Sequence, residues 1–364
     1  MHVSRFRIPL PLLAAALAAA SPANAQTVQG RVTEAGSGTP VAGAIVVLVD
    51  ENGTRQVATL ADAAGEYRVT GPAAGTYRLR VERVGYEAST SAPVRVEAGQ
   101  TVQRALTAEA RRVVLAPVVA TGSARRCAGE LRNGAQAATM WDEARKAMFA
   151  STLAAEGGRY RFVTETRERE TTGGGRVLRD EVSQDTSLGM PFQSRSAEAL
   201  MAGGYLRLSP REVRFFGLDA AAILSDAFLE QHCFGLRDGG AERPGLVGLE
   251  FVPLRNRTRP DVQGVLWMDR ATAELRYVEY GYTGLRFQGP VQRLTGRLDF
   301  QRLPDGAWVT ERWTLVVPTL TTESAERRID RTESFRITAL VERTGRVVAM
   351  QRLASGSGDT VTGR

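Results

Sequence analysis

Between residues 160 and 352, apolar and polar residues alternate in segment after segment with turn residues between them, and a chain written this way is bound to fold as β-sheet. The alternation predicts strands at 160–169, 176–186, 205–216, 246–252, 262–268, 274–282, 291–301, 308–317, 329–341 and 346–352. Joined by short turns, they predict one large antiparallel meander, curved or closed to limit its edges. Two stretches break the rhythm. Ala137, Trp141, Ala144 and Met148 recur at helical spacing, widened by Phe149 and Leu153, and Gly157-Gly158 ends the pattern. Asp142 and Lys146 form an i,i+4 pair on the opposite side of this helix. A second helix, residues 219–231, is apolar through Ala222, Ile223, Phe228 and Leu229 and is expected to pack across the sheet.

The N-terminal part is also β, with shorter strands. Val28 and Val32 share one strand, and the unbroken apolar run from Ala44 to Val49 is a buried one. Asn52-Gly53 reads as a two-residue hairpin of type I′. In the turn from Asp62 to Gly65, the Asp side chain accepts backbone N–H groups and Gly takes the left-handed conformation. Tyr67 and Val69, then Tyr77, Leu79 and Val81, alternate with charged residues, as expected of a sandwich sheet with one apolar face. Tyr67 and Tyr77 are therefore expected in the core, which leaves Tyr86 as the aromatic to look for on the surface.

Five blocks follow in order: Gly30-Arg31-Val32; Thr39-Pro40-Val41-Ala42-Gly43-Ala44; Asp62-x-x-Gly65-x-Tyr67; Gly75-Thr76-Tyr77-x-Leu79; and Gly85-Tyr86. Together they resemble the carboxypeptidase regulatory-like domain. The resemblance implies a transthyretin-like sandwich of about seven strands, similar to carbohydrate-binding-like modules. It implies no peptidase activity, since in that family the zinc and catalytic residues belong to a separate domain. The following segment, from Val113-Val114-Leu115 to Thr121-Gly122, resembles the one after this sandwich in TonB-dependent outer-membrane receptors. Only 242 residues follow Gly122, however, and 22 strands of about 10 residues would consume nearly all of them. The segment is expected to be an edge strand and a polar linker. Farther on, Leu249-Glu250-Phe251-Val252-Pro253, Gly264-Val265-Leu266-Trp267-Met268-Asp269 and Leu275-Arg276-Tyr277-Val278-Glu279 resemble the outer-membrane lipoprotein-sorting and carrier superfamily. That resemblance implies a half-barrel over helices with an apolar cavity for acyl chains. In the simpler reading, Trp267, Tyr277, Tyr280, Tyr282 and Phe287 are ordinary sheet core.

The first residues read as an export signal. Arg5 and Arg7 precede a short apolar stretch, residues 8–20, and Ala23-Asn24-Ala25 is a small-x-small cleavage site, so the mature chain is expected to begin at Gln26. The apolar run contains Pro9 and Pro11 and falls short of the roughly 20 residues of a spanning helix. After cleavage no transmembrane anchor is expected. Losing two arginines lowers the formal charge from +7 to +5. This mild excess, with Arg255, Arg257 and Arg259 as its densest stretch, reads as a solvated surface, and no nucleic-acid partner is expected.

Scarce residue types limit the chemistry further. Once His2 leaves with the signal, His232 is the sole histidine, so a two- or three-histidine zinc site cannot be built from this chain. No G-x-S-x-G elbow accompanies His232, and Glu143 stands three residues before the sole lysine, Lys146, where an S-x-x-K motif needs serine. No catalytic residue, cofactor or metal is assigned. Paired carboxylates stay open, because their separation cannot be read from sequence. The two cysteines, Cys127 and Cys233, form an even pair in an oxidising compartment, which points to a disulfide; two buried thiols, or Cys233 acting beside His232, are the alternatives.

The expected protein is mainly β. A signal peptide (1–25), a seven-stranded sandwich (26–107), a linker (108–135), a larger antiparallel curved sheet or half-barrel with one or two packed helices (136–352) and a disordered tail (353–364) follow in order. The expected function is that of a non-enzymatic envelope protein, periplasmic or associated with the outer membrane, that binds an unidentified envelope ligand, lipid or protein. The competing readings are a carboxylate-based hydrolase of envelope glycans and a carbohydrate-binding or protein-interaction scaffold linked to outer-membrane uptake.

Overall fold

The computed structural model describes residues 26–110, 134–157, 160–209, 212–254, 259–285, 287–323 and 334–353. The expected signal sequence with Ala25, the linker residue Cys127 and residues 354–364 of the tail lie outside them.

The N-terminal unit is a sandwich of two five-stranded sheets. Its strands are β1 (Gln26–Glu34), β2 (Ile45–Val49), β3 (Arg55–Leu60), β4 (Glu66–Gly71), β5 (Gly75–Glu82), β6 (Tyr86–Glu87), β7 (Ser89–Thr90), β8 (Val94–Val96), β9 (Thr101–Gln103) and β10 (Leu106–Ala110). One sheet runs β4-β1-β10-β6 with β9 also on β1, and the other runs β3-β2-β5-β7 with β8 also on β5. These are ten segments where seven strands were expected, because Gly85, Pro93 and Gly99 chop the second half into pieces of two or three residues. Val28, Val32, Val46, Leu48, Tyr67, Val69, Tyr77, Leu79 and Val81 fill the space between the sheets. The hydroxyls of the two tyrosines donate to the carbonyls of Arg104 and Ala73, both at 2.7 Å.

The Asn52-Gly53 hairpin is not of type I′. Gly53 alone has positive φ (79°), its N–H donates to Asp50 O, and the Asp50 carboxylate accepts the N–H groups of Asn52 and Thr54. An aspartate at the first turn position supplies the acceptor that favours a type I turn followed by left-handed glycine. The turn from Asp62 to Gly65 forms as expected, with Asp62 Oδ1 accepting from Ala64 and Glu66 at 2.9 Å.

The larger unit begins with α1 (Gly134–Glu156), then β11 (Tyr160–Thr172), β12 (Val177–Leu188), α2 (Ala197–Gly203), β13 (Leu206–Ser209), β14 (Glu212–Phe215), α3 (Ala220–Ile223) and α4 (Asp226–Gln231). It continues through β15 (His232–Asp238), β16 (Leu246–Pro253), β17 (Asp261–Asp269), β18 (Leu275–Thr283), β19 (Phe287–Gln288), β20 (Thr295–Arg302), β21 (Trp308–Glu323) and β22 (Ser334–Arg352). The order β12-β11-β22-β21-β20-β18-β17-β16-β15, with β19 parallel on β22, makes a ten-stranded open sheet and not a barrel. It is the expected meander from β15 to β22, whose last strand turns back beside the β11–β12 hairpin.

Several predicted segments divide differently. The strand predicted at 205–216 is a separate hairpin, β13–β14, and those predicted at 329–341 and 346–352 are one strand of 19 residues. The helix predicted at 219–231 is two short helices, capped by Asp219 and Ser225, whose side chains accept from Ala222 N and Phe228 N. A serine in mid-pattern offers its hydroxyl to the backbone and starts a new helix. With α2, also capped by serine (Ser196), four α-helices lie among the described residues where one or two were expected. They cover one face of the sheet. Met140, Trp141, Leu200, Leu218, Ile223 and Phe228 from that layer meet Leu249, Phe251, Leu266, Met268 and Val278 from the strands in one core.

Candidate functional site

The apolar run at β2 marks the place where the two units meet. Every residue of β2 is buried, because its two faces serve two cores: Val46 and Leu48 belong to the sandwich, and Ile45, Val47 and Val49 join Leu60 in the core around α1. Burial on both faces is what a continuous rather than alternating run records. α1 can lie close to the β2–β3 hairpin, at β3, because alanines (Ala137, Ala144, Ala147, Ala150, Ala154) make up much of its buried surface.

Polar groups fix the join. The expected i,i+4 pair of Asp142 and Lys146 forms, but on a partly buried side of α1, where Glu143 and Lys146, one helical turn apart, are 3% and 7% exposed. Lys146 Nζ lies 2.8 Å from Glu143 Oε1 and 3.3 Å from Asp142 Oδ2, and it donates to the carbonyl of Tyr86 at 3.3 Å. Glu143 Oε2 accepts the N–H of Gly85 at 2.8 Å. The sole lysine and its glutamate thus clamp the turn between β5 and β6 to the helix. At the other end of the join, Gly43 and Gly306 meet backbone to backbone: a Cβ on Gly43 would lie 2.5 Å from Gly306 Cα.

Between these fastenings a cleft of about 440 Å³ opens, within the range of small-molecule sites. Its floor is apolar, with Val47 and Val49 from β2, Met148 and Phe149 from α1, and Leu224 after α3. Its rim is charged. The Arg55 guanidinium sits 3.7 Å over the Phe149 ring, a cation–π contact that desolvates one side of the cation. Burial lowers the Arg55 pKa, while Glu82 and Glu156 pull it back up. It remains a cation at neutral pH. The carboxylates of the rim are already engaged, Glu82 with Arg80 at 2.7 Å and Asp142 with Lys146. A basic group beside an apolar floor can hold a molecule with an acidic head and an apolar body.

The residues singled out from sequence fall elsewhere. His232 is fully buried and stacked on Phe228 at 3.7 Å; its Nδ1 donates to Phe228 O at 3.0 Å, and Nε2 lies 3.3 Å from Asp261 Oδ1. Its ring packs between Phe228 and Phe251. Cys233 is buried beside it, and its expected partner Cys127 lies outside the described residues. Gln26 opens β1, paired with Gly71. Tyr86 is half-buried under the Arg83 guanidinium at 4.6 Å, not an open aromatic platform. Among the described residues no group of three or more His, Cys, Asp or Glu is placed to hold a metal, and no helix is long and apolar enough to cross a membrane.

Two features had little or no sequence signal. The lone lysine was visible, but only as the i,i+4 partner of Asp142 and as a lysine without an S-x-x-K serine. Trp267, expected as sheet core, is buried on the side of the sheet away from the helices, under Arg243, whose guanidinium lies 4.6 Å over the ring and bonds Tyr277 Oη and Glu279 at 2.9 Å. Alternation shows that a residue is inward or outward, not what a loop arginine does above it. As for an acyl cavity on the helix side, the gap bounded by Ser151, Ala154, Tyr160, Phe162 and Val309 holds about 10 Å³, at most a single water.

Comparison with known proteins gives one family. Residues 27–109 match the carboxypeptidase regulatory-like domain. No curated protein matches the chain. Among solved structures it is similar to the pilus 2b backbone protein of group B streptococcus, at 18% identity over 24% of this chain and 41% of that one, with a TM-score of 0.21. It is also similar to GBS52, the minor pilin of Streptococcus agalactiae, at 19% identity over 28% of this chain and 48% of that one (TM-score 0.20). The chain thus spans less than half the length of either pilus protein. BcpA, the major pilin subunit of Bacillus cereus, matches at 10% identity over 88% and 95% of the two chains (TM-score 0.21).

Proposed function

We propose that this chain is an exported, non-enzymatic protein of the cell envelope, periplasmic or attached at the outer membrane, that holds an acidic amphiphile between its carboxypeptidase regulatory-like sandwich and its large sheet. The observation that carries the reading is the cleft where Val47, Val49, Met148, Phe149 and Leu224 form an apolar floor beside the Arg55 cation stacked on Phe149. Small-molecule sites favour such junctions, and a few polar groups over an apolar surface set orientation while the floor supplies affinity. The lipid expectation from sequence thus moves from the inside of the sheet, where helices pack, to its join with the sandwich.

Native mass spectrometry of the full exported chain, as purified and after titration with palmitate, tests this. One bound fatty acid is the expected stoichiometry. Phe149→Asp should abolish binding by placing a carboxylate on the floor, and Arg55→Ala should weaken it about tenfold, the factor equivalent to ~1.4 kcal/mol. A folded wild-type chain that neither retains nor takes up an acidic amphiphile would overturn the proposal.

A further inference from the structure

A second cleft, chemically unlike the first, lies at the other end of β3. It measures about 730 Å³ and is lined by β1, β4, the end of β3, the 103–105 segment and the end of β22 at Arg352-Leu353. Its floor is mainly backbone: Arg104 N–H donates to Gln29 O, and Gly30 lies so close to the Arg104 carbonyl that a Cβ would come within 2.0 Å of the oxygen.

Four arginines line this cleft, Arg31, Arg68, Arg104 and Arg352, against two acids, Asp62 and Glu66. Arg31 is neutralised by Glu66 at 2.8 Å. Asp62 is occupied by its own turn, accepting two backbone N–H groups. Among the described residues, Arg68, Arg104 and Arg352 have no acid within ion-pair distance. Three arginines without an acid partner among the described residues, from three different parts of the chain, thus line one concavity. Gln29 and Gln103 add amide groups to the same wall.

We infer that this cleft is an anion site for a small ligand carrying at least two oxyanion groups, phosphate or carboxylate. The guanidinium fork matches both oxyanions by paired N–H···O bonds, and arginine gives up hydration more readily than lysine. The volume admits a molecule of one or a few sugar-sized units, more than a single phosphate needs. Because Arg352 comes from the end of β22 and the other arginines from the sandwich, a dianion spanning them would also tie the large sheet to the sandwich on this flank.

Isothermal titration of the full chain with inorganic tripolyphosphate, with a short oligogalacturonate and with a neutral oligosaccharide of equal length tests the inference and separates phosphate from carboxylate chemistry. Saturable 1:1 binding of at least one anion is expected, with none for the neutral sugar. The affinity should fall with salt, as for two or three charge contacts. Arg68→Gln and Arg104→Gln should each weaken it about tenfold, and the triple variant with Arg352→Gln should abolish it. Arg95→Gln, at an exposed arginine outside the cleft, should leave it unchanged. These substitutions are judged on variants whose circular dichroism and melting match wild type. No saturable binding of either anion at 50 mM salt, or binding that survives the triple substitution, would overturn the site, whatever becomes of the amphiphile cleft.

Discussion

Replacing Lys146 by methionine tests how the sandwich is held. The substitution keeps length and shape and deletes one charge, leaving the Glu143 carboxylate 3% exposed, with the Gly85 N–H as its remaining donor among the described residues and Asp142 beside it. Breaking a buried ion pair from one side costs about 3–5 kcal/mol, because the surviving charge stays desolvated. The contact of Lys146 with half-exposed Asp142 adds no more than ~0.5 kcal/mol. The double variant Glu143→Leu, Lys146→Met strands no charge. Its cost is the orphaned Gly85 N–H, about 1–3 kcal/mol, offset by the apolar surface gained. The double variant should therefore be more stable than Lys146→Met alone, and the cycle with Glu143→Leu should return a coupling of several kcal/mol. Urea unfolding followed by tryptophan fluorescence, which includes Trp141 on α1, measures all four corners; amide exchange at Gly85 reports the join directly. A loss below about 1 kcal/mol for Lys146→Met, or a coupling near zero, would refute the reasoning and place the pair in solvent.

Three further outcomes are expected. Gly43→Ala puts a methyl 2.5 Å from the Gly306 backbone at φ 72°, so beyond the ~1–2 kcal/mol for left-handed alanine it should force the units apart, seen as a lowered melting temperature; an unchanged one would mean that the backbones do not meet. Residues 26–110 alone would expose Ile45, Val47, Val49 and Leu60, each worth about 1.5–3 kcal/mol when buried, so this fragment should give a dispersed amide spectrum that broadens with concentration. Sharp lines at millimolar concentration would count against the two-faced reading of β2. Non-reducing peptide mapping of exported chain should yield a Cys127–Cys233 peptide, a loop closure worth up to ~4.7 kcal/mol in the chain-entropy model, whereas two alkylatable thiols would dismiss the disulfide.

Strand content was legible because period-two alternation survives wherever one sheet face is dry, and the five sandwich motifs were legible because turns demand particular residues. Segmentation was harder. Nothing in the apolar periodicity of 219–231 separates one helix from two; Ser225 does so through its hydroxyl, a signal of one residue. Residues 205–216 form a hairpin rather than a strand because Leu206 pairs with Phe215 and Ser209 with Glu212, a register that alternation alone leaves open. The clefts were invisible for a different reason. Each is assembled from residues far apart in sequence, Arg55 with Phe149 in one and Arg68 with Arg352 in the other, and spacing rules reach only neighbours on one element.

The run at β2 alters what the sandwich can be. Read as an accessory module, it would move freely on a linker, and a ligand bound to one unit would leave the other unaffected. With Ile45, Val47 and Val49 spent on the α1 side, docking and folding draw on the same apolar surface, and the cleft exists only in the docked state. An amphiphile in that cleft touches β2, β3 and α1 together, so it binds docked molecules and not undocked ones. Its apparent affinity is then the intrinsic one scaled by the docked fraction. Linkage runs in both directions: the ligand must strengthen docking by the same factor. Lys146→Met, at the rim of the cleft, should therefore weaken palmitate binding in proportion to the docked fraction it removes, with saturating palmitate restoring amide protection at Gly85. If protection at Gly85 and affinity for palmitate vary independently across the Glu143 and Lys146 variants, the ligand does not sit in the join.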